Sequence, residues 1–449
     1  MGARASHEAE AANGAASRDC GGRRGSCEDS TPEDISAAGD ITADVAVIGG
    51  GVIGHGIAFE ASRAGRSVVL IDDAPGSGAS WAAAGMLAPV SELHYQEEQL
   101  LELMLESSRL WPGFAAAIDA GAACVKTGPA GTASGAGTGY LTTPTLAVGA
   151  DAADRRALTD LRQAQQACGL TVEPLTVREA RGREPLLSPG ISCAFDIPAD
   201  HQVDPRLLIA RLAELLDAEG NSCVRRRAAG LLWEDGRVAG VRLAGGGSVR
   251  AAETVVANGL GASALDGLPP ELVLPLRPVY GDILRLRVPG HLRPLLTATV
   301  RGMVRGVPVY IVPRQDGTVV IGATQREDGP ADPNAVSAGG IYQLLRDAQQ
   351  LVPAVAELEL LEATARARPG TPDNAPLLGR VAAADGGDVP GLIIATGFFR
   401  HGVQLTPAAA AVSRQLMDGT ADPRWDGFRP DRFSRVPGTS GDSHNKEAA

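Results

Sequence analysis

The feature that most constrains this chain is a six-residue run, Gly49-Gly50-Gly51-Val52-Ile53-Gly54. It sits between a short apolar strand at 44–48 (DVAVI) and a helical pattern over 52–64. A second apolar strand follows at 67–71, Ala58 and Gly65 continue the helix side, and Asp72 closes the unit. Glycines at these positions allow a tight turn and a close approach of backbone to a pyrophosphate. The helix N-terminus offers unpaired N–H groups to its charge, and an acid at the end of the second strand can accept from ribose hydroxyls. A glycine turn that holds no ligand is the plainer reading, but the strand before, the helix after and the acid beyond all favour a dinucleotide. NAD and FAD share this fingerprint, and the local residues do not separate them.

A chain of 449 residues has the length of two or three domains. Its formal charge is −12 and its only lysines are Lys126 and Lys446, so a basic face for nucleic acid is not expected. Six cysteines contain no C-x-x-C pair, and the seven histidines show no metal-binding spacing; no metal site is expected. Cys193 has no base beside it in sequence, and Asp200-His201 reads as turn chemistry ahead of a helix cap rather than as an acid/base pair. No apolar run approaches a membrane span and no leader pattern opens the chain, so a cytoplasmic protein without membrane contact is expected. Residues 1–40 carry eight acids and four Arg but no Val, Leu, Phe, Tyr or Trp. They and residues 433–449 are expected to be disordered.

Within the body, 93–119 has helical spacing of Leu, Met and Trp, and the glycine-rich stretch 128–139 reads as a mobile loop. Asp204-Pro205 starts a helix that Gly220 stops. A meander follows, with strands at 230–234, 237–243 and 254–257. Residues 279–323 read as strands, with a hairpin pairing 309–314 and 318–323. A helix near 339–351, a strand at 392–395 and a helix opening at Thr406-Pro407, with Thr406 as its cap, complete the chain. The last unit, ATGFFRHGVQLTP at 395–407, presents a helix N-terminus that can stabilise negative charge on a reduced flavin ring, although a plain capped surface helix would read the same way.

Four stretches together resemble the amino-acid-oxidase group of flavoproteins, and within it the glycine-oxidase branch that serves thiamine biosynthesis. They are GGGVIG with Asp72, SWAAAGML at 80–87, RPGTPD at 368–373 with PLLG at 376–379, and GFFRHGVQLTP at 397–407. They frame the body from 44 to 407. The resemblance implies an α/β fold: a Rossmann-type FAD-binding domain from 41–90, 200–275 and 365–432, and a mainly antiparallel substrate domain from 91–199 and 276–364. It implies FAD contacts at Gly49, Gly51, Val52, Ile53, Gly54, Asp72, Asp73, Ser80, Ala84, Gly85 and Met86. Further contacts are implied at Ala229 (or Ala228), Phe398, Phe399, Arg400, His401, Gly402, Val403 and Gln404. For substrate it implies Arg368, Tyr310 and Arg400. Relatives that bind flavin covalently place Cys two residues before the Arg368 position; Arg366 stands here, so non-covalent FAD is implied.

The reaction implied is oxidation of glycine, and of sarcosine or small D-amino acids, with oxygen as acceptor and an imine that feeds thiazole formation. A homo-oligomer and a hand-off to a thiazole synthase go with it. Two other functions stay open: a flavin enzyme acting on modified tRNA, which the acidic charge opposes, and a non-catalytic flavin-binding subunit, which the retention of Arg368 and Tyr310 opposes.

Overall fold

A computed structural model describes residues 41–434, except 94–96, 126–136, 329–331, 333 and 384. Most of the glycine-rich stretch 128–139 and the segments 1–40 and 435–449 therefore lie outside the described residues.

The opening unit is a strand (Ile41–Ile48), a helix (Val52–Arg63) and a parallel strand (Val68–Ile71). Successive side chains of a strand point to opposite faces. Val45 and Val47 accordingly enter one core, with Ile57, Phe59, Leu208, Leu212, Trp111 and Leu405. Ala46 and Ile48 enter another, with Leu231, Val238, Val241 and Val249 of the meander. Burial on both faces is what a near-continuous apolar strand requires in a parallel sheet. Around it the sheet runs Leu377–Gly379, Leu392–Thr396, Ser248–Val256, Ile41–Ile48, Val68–Ile71, Ser222–Val224, with the hairpin Ala228–Glu234 and Arg237–Leu243 beside Ser248–Val256. Of these pairings only Leu377–Gly379 and the hairpin are antiparallel.

A second sheet of eight strands runs Glu359–Gly370, Arg277–Arg287, Thr318–Gly322, Val307–Pro313, Val300–Val304, Thr145–Gly149, Cys193–Ile197, Glu173–Leu175. Its pairings are antiparallel apart from Val300–Val304 with Thr145–Gly149. Period-2 alternation again assigns the faces. Leu284, Leu286, Val309, Ile311, Val319 and Ile321 pack under the helix Ala338–Leu351. Their neighbours Ile283, Val312 and Val320 face the other way, onto Ala82 and Ala84 of the SWAAAGML segment.

Three expectations change. The helix expected at 93–119 spans Glu98–Val125, and its Leu100, Leu103, Met104, Trp111, Phe114 and Ile118 join the core of the first sheet, whereas the resemblance places this range in the substrate domain. Thr406 does not cap the last helix (Thr406–Asp418): it is the first helical residue, and its hydroxyl donates back to the Gly402 carbonyl at 2.9 Å. The ordered body also passes 432, because Phe433 closes a short 3-10 turn and the Ser434 hydroxyl accepts from Val273 N–H at 3.0 Å. By contrast, Asp204 does cap Pro205–Ala218, its carboxylate accepting from the N–H groups of Arg206 and Leu207.

Candidate active site

A cavity of about 810 Å³ runs between the glycine turn on one side and the second sheet on the other. That size is within the range of pockets that enclose a cofactor or drug-sized ligand.

The first wall is built from backbone. Gly54 has no room for a side chain, since a Cβ there would overlap the Gly49 carbonyl, so this glycine lets helix and strand close together. Gly51 is the opposite case: a Cβ would meet only Ser80 Oγ, at 3.4 Å, and otherwise enter the cavity. The helix behind it has no side-chain cap from its N-cap residue and no acid in its first turn, which leaves the partial positive charge of its N-terminus for an anion. Val52 N–H donates to Ser80 Oγ at 3.0 Å, drawing the SWAAAGML segment onto the turn. Asp72 accepts from Gly50 N–H at 2.6 Å and Ala74 N–H at 2.8 Å, so the residue expected to read a ribose also staples the turn. His55 lies beneath, its Nδ1 3.1 Å from the Gly51 carbonyl, and burial pushes its pKa down. Gly397–Gln404 completes this side, and the N–H groups of Gly402, Val403 and Gln404 have no acceptor among the described residues. An anion cradle at Gly51 and a row of open N–H donors on a long cavity fit a flavin dinucleotide.

The second wall is built from side chains. One cross-strand row carries Arg301, Tyr310, Gly322, Ile283 and Thr364 in register. The small members make the geometry. A Cβ on Gly322 would lie 2.5 Å from Tyr310 Cζ, and one on Gly281 would lie 2.5 Å from Arg368 Nη2. Tyr310 is therefore laid over the strand Thr318–Gly322, and Arg368 over Arg277–Arg287. Those strands are paired neighbours, about 4.8 Å apart. The phenol and the guanidinium thus converge from opposite edges. Burial raises the Tyr310 pKa, against the opposing charge of Arg368, so the phenol keeps its proton and can donate.

Among the described residues four arginines line the cavity, and their partners separate them. Arg366 donates to the Ser77 and Ala365 carbonyls. Arg301 is hydrogen-bonded to Glu92. Arg400 is 2.6 Å from Glu92 and 3.6 Å from Glu97, which makes this expected substrate anchor a neutralised wall charge. Arg368 has neither an ion pair nor a hydrogen bond among the described residues. Burial alone would push the Glu92 carboxyl up; Arg301, Arg400 and His401 outweigh it and hold it well below the usual carboxylate range. Asp200 holds this corner in place: its carboxylate accepts from Val90 N–H, Ser91 N–H and the Ser91 hydroxyl, and burial pushes it up to about 6. Its sequence neighbour His201 turns away, Nδ1 3.2 Å from the Tyr140 hydroxyl.

Most of the expected site residues meet here: Gly49, Gly51, Val52, Ile53, Asp72, Ser80, Ala84, Gly85, Met86, Tyr310, Arg368 and Phe398 to Gln404 all line the cavity. Gly54, Asp73 and Ala229 do not. Gly54 acts one layer back, Asp73 is 3.8 Å from Arg227, and Ala229 lies in the meander strand Ala228–Glu234. Gln404 touches the cavity, but its amide donates to Met104 O and Ser108 Oγ, fastening the loop to the long helix. Sequence reasoning missed Glu92, Arg301, Asn258 and the glycines 281 and 322. Each is a single residue without a motif, and only the tertiary fold brings it to the cavity.

The comparisons with known proteins agree with this architecture. Residues 44–416 match the model of the FAD dependent oxidoreductase family. The bifunctional protein ThiO/ThiG of Trichormus variabilis is 31% identical over 405 residues, 89% of this chain; the chain spans 56% of that protein's length. The glycine oxidase of Geobacillus kaustophilus is 32% identical over 385 residues, covering 84% of this chain and 93% of that one. A crystal structure of glycine oxidase from the same organism superposes with a TM-score of 0.75 over 87% of this chain and 99% of that chain. A structure of iminodiacetate oxidase from Chelativorans sp. is similar at 25% identity, covering 86% of this chain and 98% of that one, with a TM-score of 0.72. With its glycine turn, its two sheets and the cavity between them, the chain belongs to the FAD dependent oxidoreductase family, in its amino-acid-oxidase branch, and FAD is its cofactor.

Proposed function

We propose that this protein oxidises a small amino acid, glycine foremost, at its carbon–nitrogen bond. Overall, glycine, oxygen and water give glyoxylate, ammonia and hydrogen peroxide. The observation that carries the reading is the convergence of Arg368 and Tyr310 over Gly281 and Gly322, with Arg368 unpaired among the described residues while Arg301 and Arg400 are neutralised. A guanidinium without a partner can meet a carboxylate with two parallel charge-assisted hydrogen bonds, and the Tyr310 phenol can donate a third. The named glycine oxidases among the relatives support the same substrate.

Bound FAD supplies the two-electron acceptor that this chemistry needs. Gly51 and the N-terminus of Val52–Arg63 would hold the pyrophosphate, and Asp72 a ribose. The open N–H groups of Gly402, Val403 and Gln404 would face the ring system. Arg366, at the position where a covalent link would need a cysteine, instead donates to the Ser77 carbonyl, which supports non-covalent FAD. Arg368 and Tyr310 then fix the carboxylate, and the two-sheet enclosure limits competing water. Sarcosine and small D-amino acids extend the substrate range, and in the cytoplasm the imine would pass to a thiazole synthase. The division of the chain into a nucleotide half and a substrate half, and a homo-oligomeric state, complete the reading.

Purified protein assayed for peroxide release with glycine, sarcosine and D-alanine tests the activity. Turnover of none of them sinks it. Acid precipitation tests the linkage: flavin released to the supernatant supports non-covalent binding, and flavin retained on the precipitate refutes it.

A further inference from the structure

We propose that Glu92 determines substrate specificity: its carboxylate occupies the second cationic corner of the cavity and so restricts the enzyme to substrates with a single carboxylate. This inference rests on the amino-acid-oxidase reading above.

Two features of the corner support it. Arg301 and Arg400 come from remote parts of the chain, both line the cavity, and both bring a guanidinium nitrogen close to Glu92, Arg301 in a hydrogen bond and Arg400 as an ion pair at 2.6 Å. Two arginines converging on one carboxylate form the arrangement that would bind a substrate carboxylate, and here the chain itself provides the anion. The corner also adjoins the substrate anchor. Arg301 and Tyr310 are directly paired across neighbouring strands, and Tyr310 feels the charge of both Arg368 and Glu92.

Charge bookkeeping gives the consequence. Glu92 offsets Arg301 and Arg400, Glu97 stands 3.6 Å from Arg400, and among the described residues Arg368 is left as the corner's uncompensated neighbour. A substrate with one carboxylate matches one free guanidinium. A second carboxylate would approach Glu92 and be repelled in a setting where burial leaves little screening. Removing the Glu92 charge without changing its shape would turn the corner into a second carboxylate site, because Arg301 would then lack its ion pair. The existing corner is fully charged: the two guanidinium groups hold Glu92 ionised well below the usual carboxylate range.

Sarcosine and iminodiacetate suit the test, since both are N-substituted glycines and they differ by one carboxylate. For the flavin-loaded wild type, kcat/KM should favour sarcosine by about a hundredfold or more. In Glu92→Gln that preference should shrink at least tenfold. Acetate and malonate, titrated against the flavin absorbance, give the same comparison without turnover: malonate should gain at least tenfold over acetate in the variant. Equal use of sarcosine and iminodiacetate by the wild type would overturn the inference, and that result needs no variant to fold. An unchanged ratio in a flavin-loaded Glu92→Gln would overturn it as well. If no amine is oxidised at all, the amino-acid-oxidase reading has failed, and the malonate-to-acetate ratio still decides the role of Glu92.

Discussion

The two walls of the cavity recognise charge in different ways. The nucleotide wall uses backbone: an open position at Gly51, a helix N-terminus and the N–H groups after Arg400. The amino-acid wall uses side chains laid over glycines, with one guanidinium free among the described residues and two neutralised. A pyrophosphate is large and its charge is spread, so many weak fixed dipoles suit it. Glycine has five heavy atoms, and at about −1.5 kcal/mol per atom its best binding is roughly −7.5 kcal/mol, so a few strong directed bonds must supply nearly all of it. Changes to the first wall should therefore remove the cofactor, whereas changes to the second should leave it bound and slow turnover.

The largest effect is expected at Gly51→Asp. Its carboxylate would enter the space of the pyrophosphate, and the purified protein should be colourless and inactive. Yellow, active protein would break the comparison at its first wall.

Next comes Arg368→Ala, which should keep its flavin and lose at least about a hundredfold in glycine kcat/KM, two charge-assisted bonds at roughly 1.5 kcal/mol each. Arg368→Lys should rescue little, because an ammonium lacks the planar fork. Near-normal turnover in the alanine variant would move the carboxylate site elsewhere, with Arg400 the first alternative.

Gly281→Ala probes the same anchor without touching it. The added methyl would sit 2.5 Å from Arg368 Nη2 and displace the guanidinium, so a loss of about tenfold is expected with the flavin spectrum retained. An unaffected variant would mean that the position of Arg368 is not set by the glycine beneath it. Tyr310→Phe removes one neutral donor and should cost about 1 kcal/mol, roughly fivefold in kcat/KM.

The smallest expected change is a null one in pH. The folded-state pKa of Glu92 is depressed below its ordinary 4.5, so the stability from its ion pairs is complete above that value and is lost as pH falls toward the depressed one. Between about pH 7 and 9, above the Asp200 value of about 6, Glu92 stays charged, and the sarcosine-to-iminodiacetate ratio should remain flat. A ratio that titrates in that window would point to another group.

By itself the sequence determined the features whose physics is local. The glycine turn, the Asp204 cap and the hairpin 309–323 are specified by residues within a few positions of one another, and all were legible. The last helix shows where local reading ends: Thr406-Pro407 looks like a cap and a first turn, but the chain before it already coils, through Leu405 N–H to His401 O, and Thr406 falls inside. The second wall was decided by tertiary structure. Arg368 and Tyr310 could be named, but their convergence depends on the register of Thr318–Gly322 against Arg277–Arg287, and on two glycines that look ordinary in sequence. The same holds for Arg400, which reads as a free anchor until folding brings Glu92 and Glu97 against it. A charge's role is fixed by its nearest counter-charge, and here that partner lies some three hundred residues away in the chain, within about 4 Å in space.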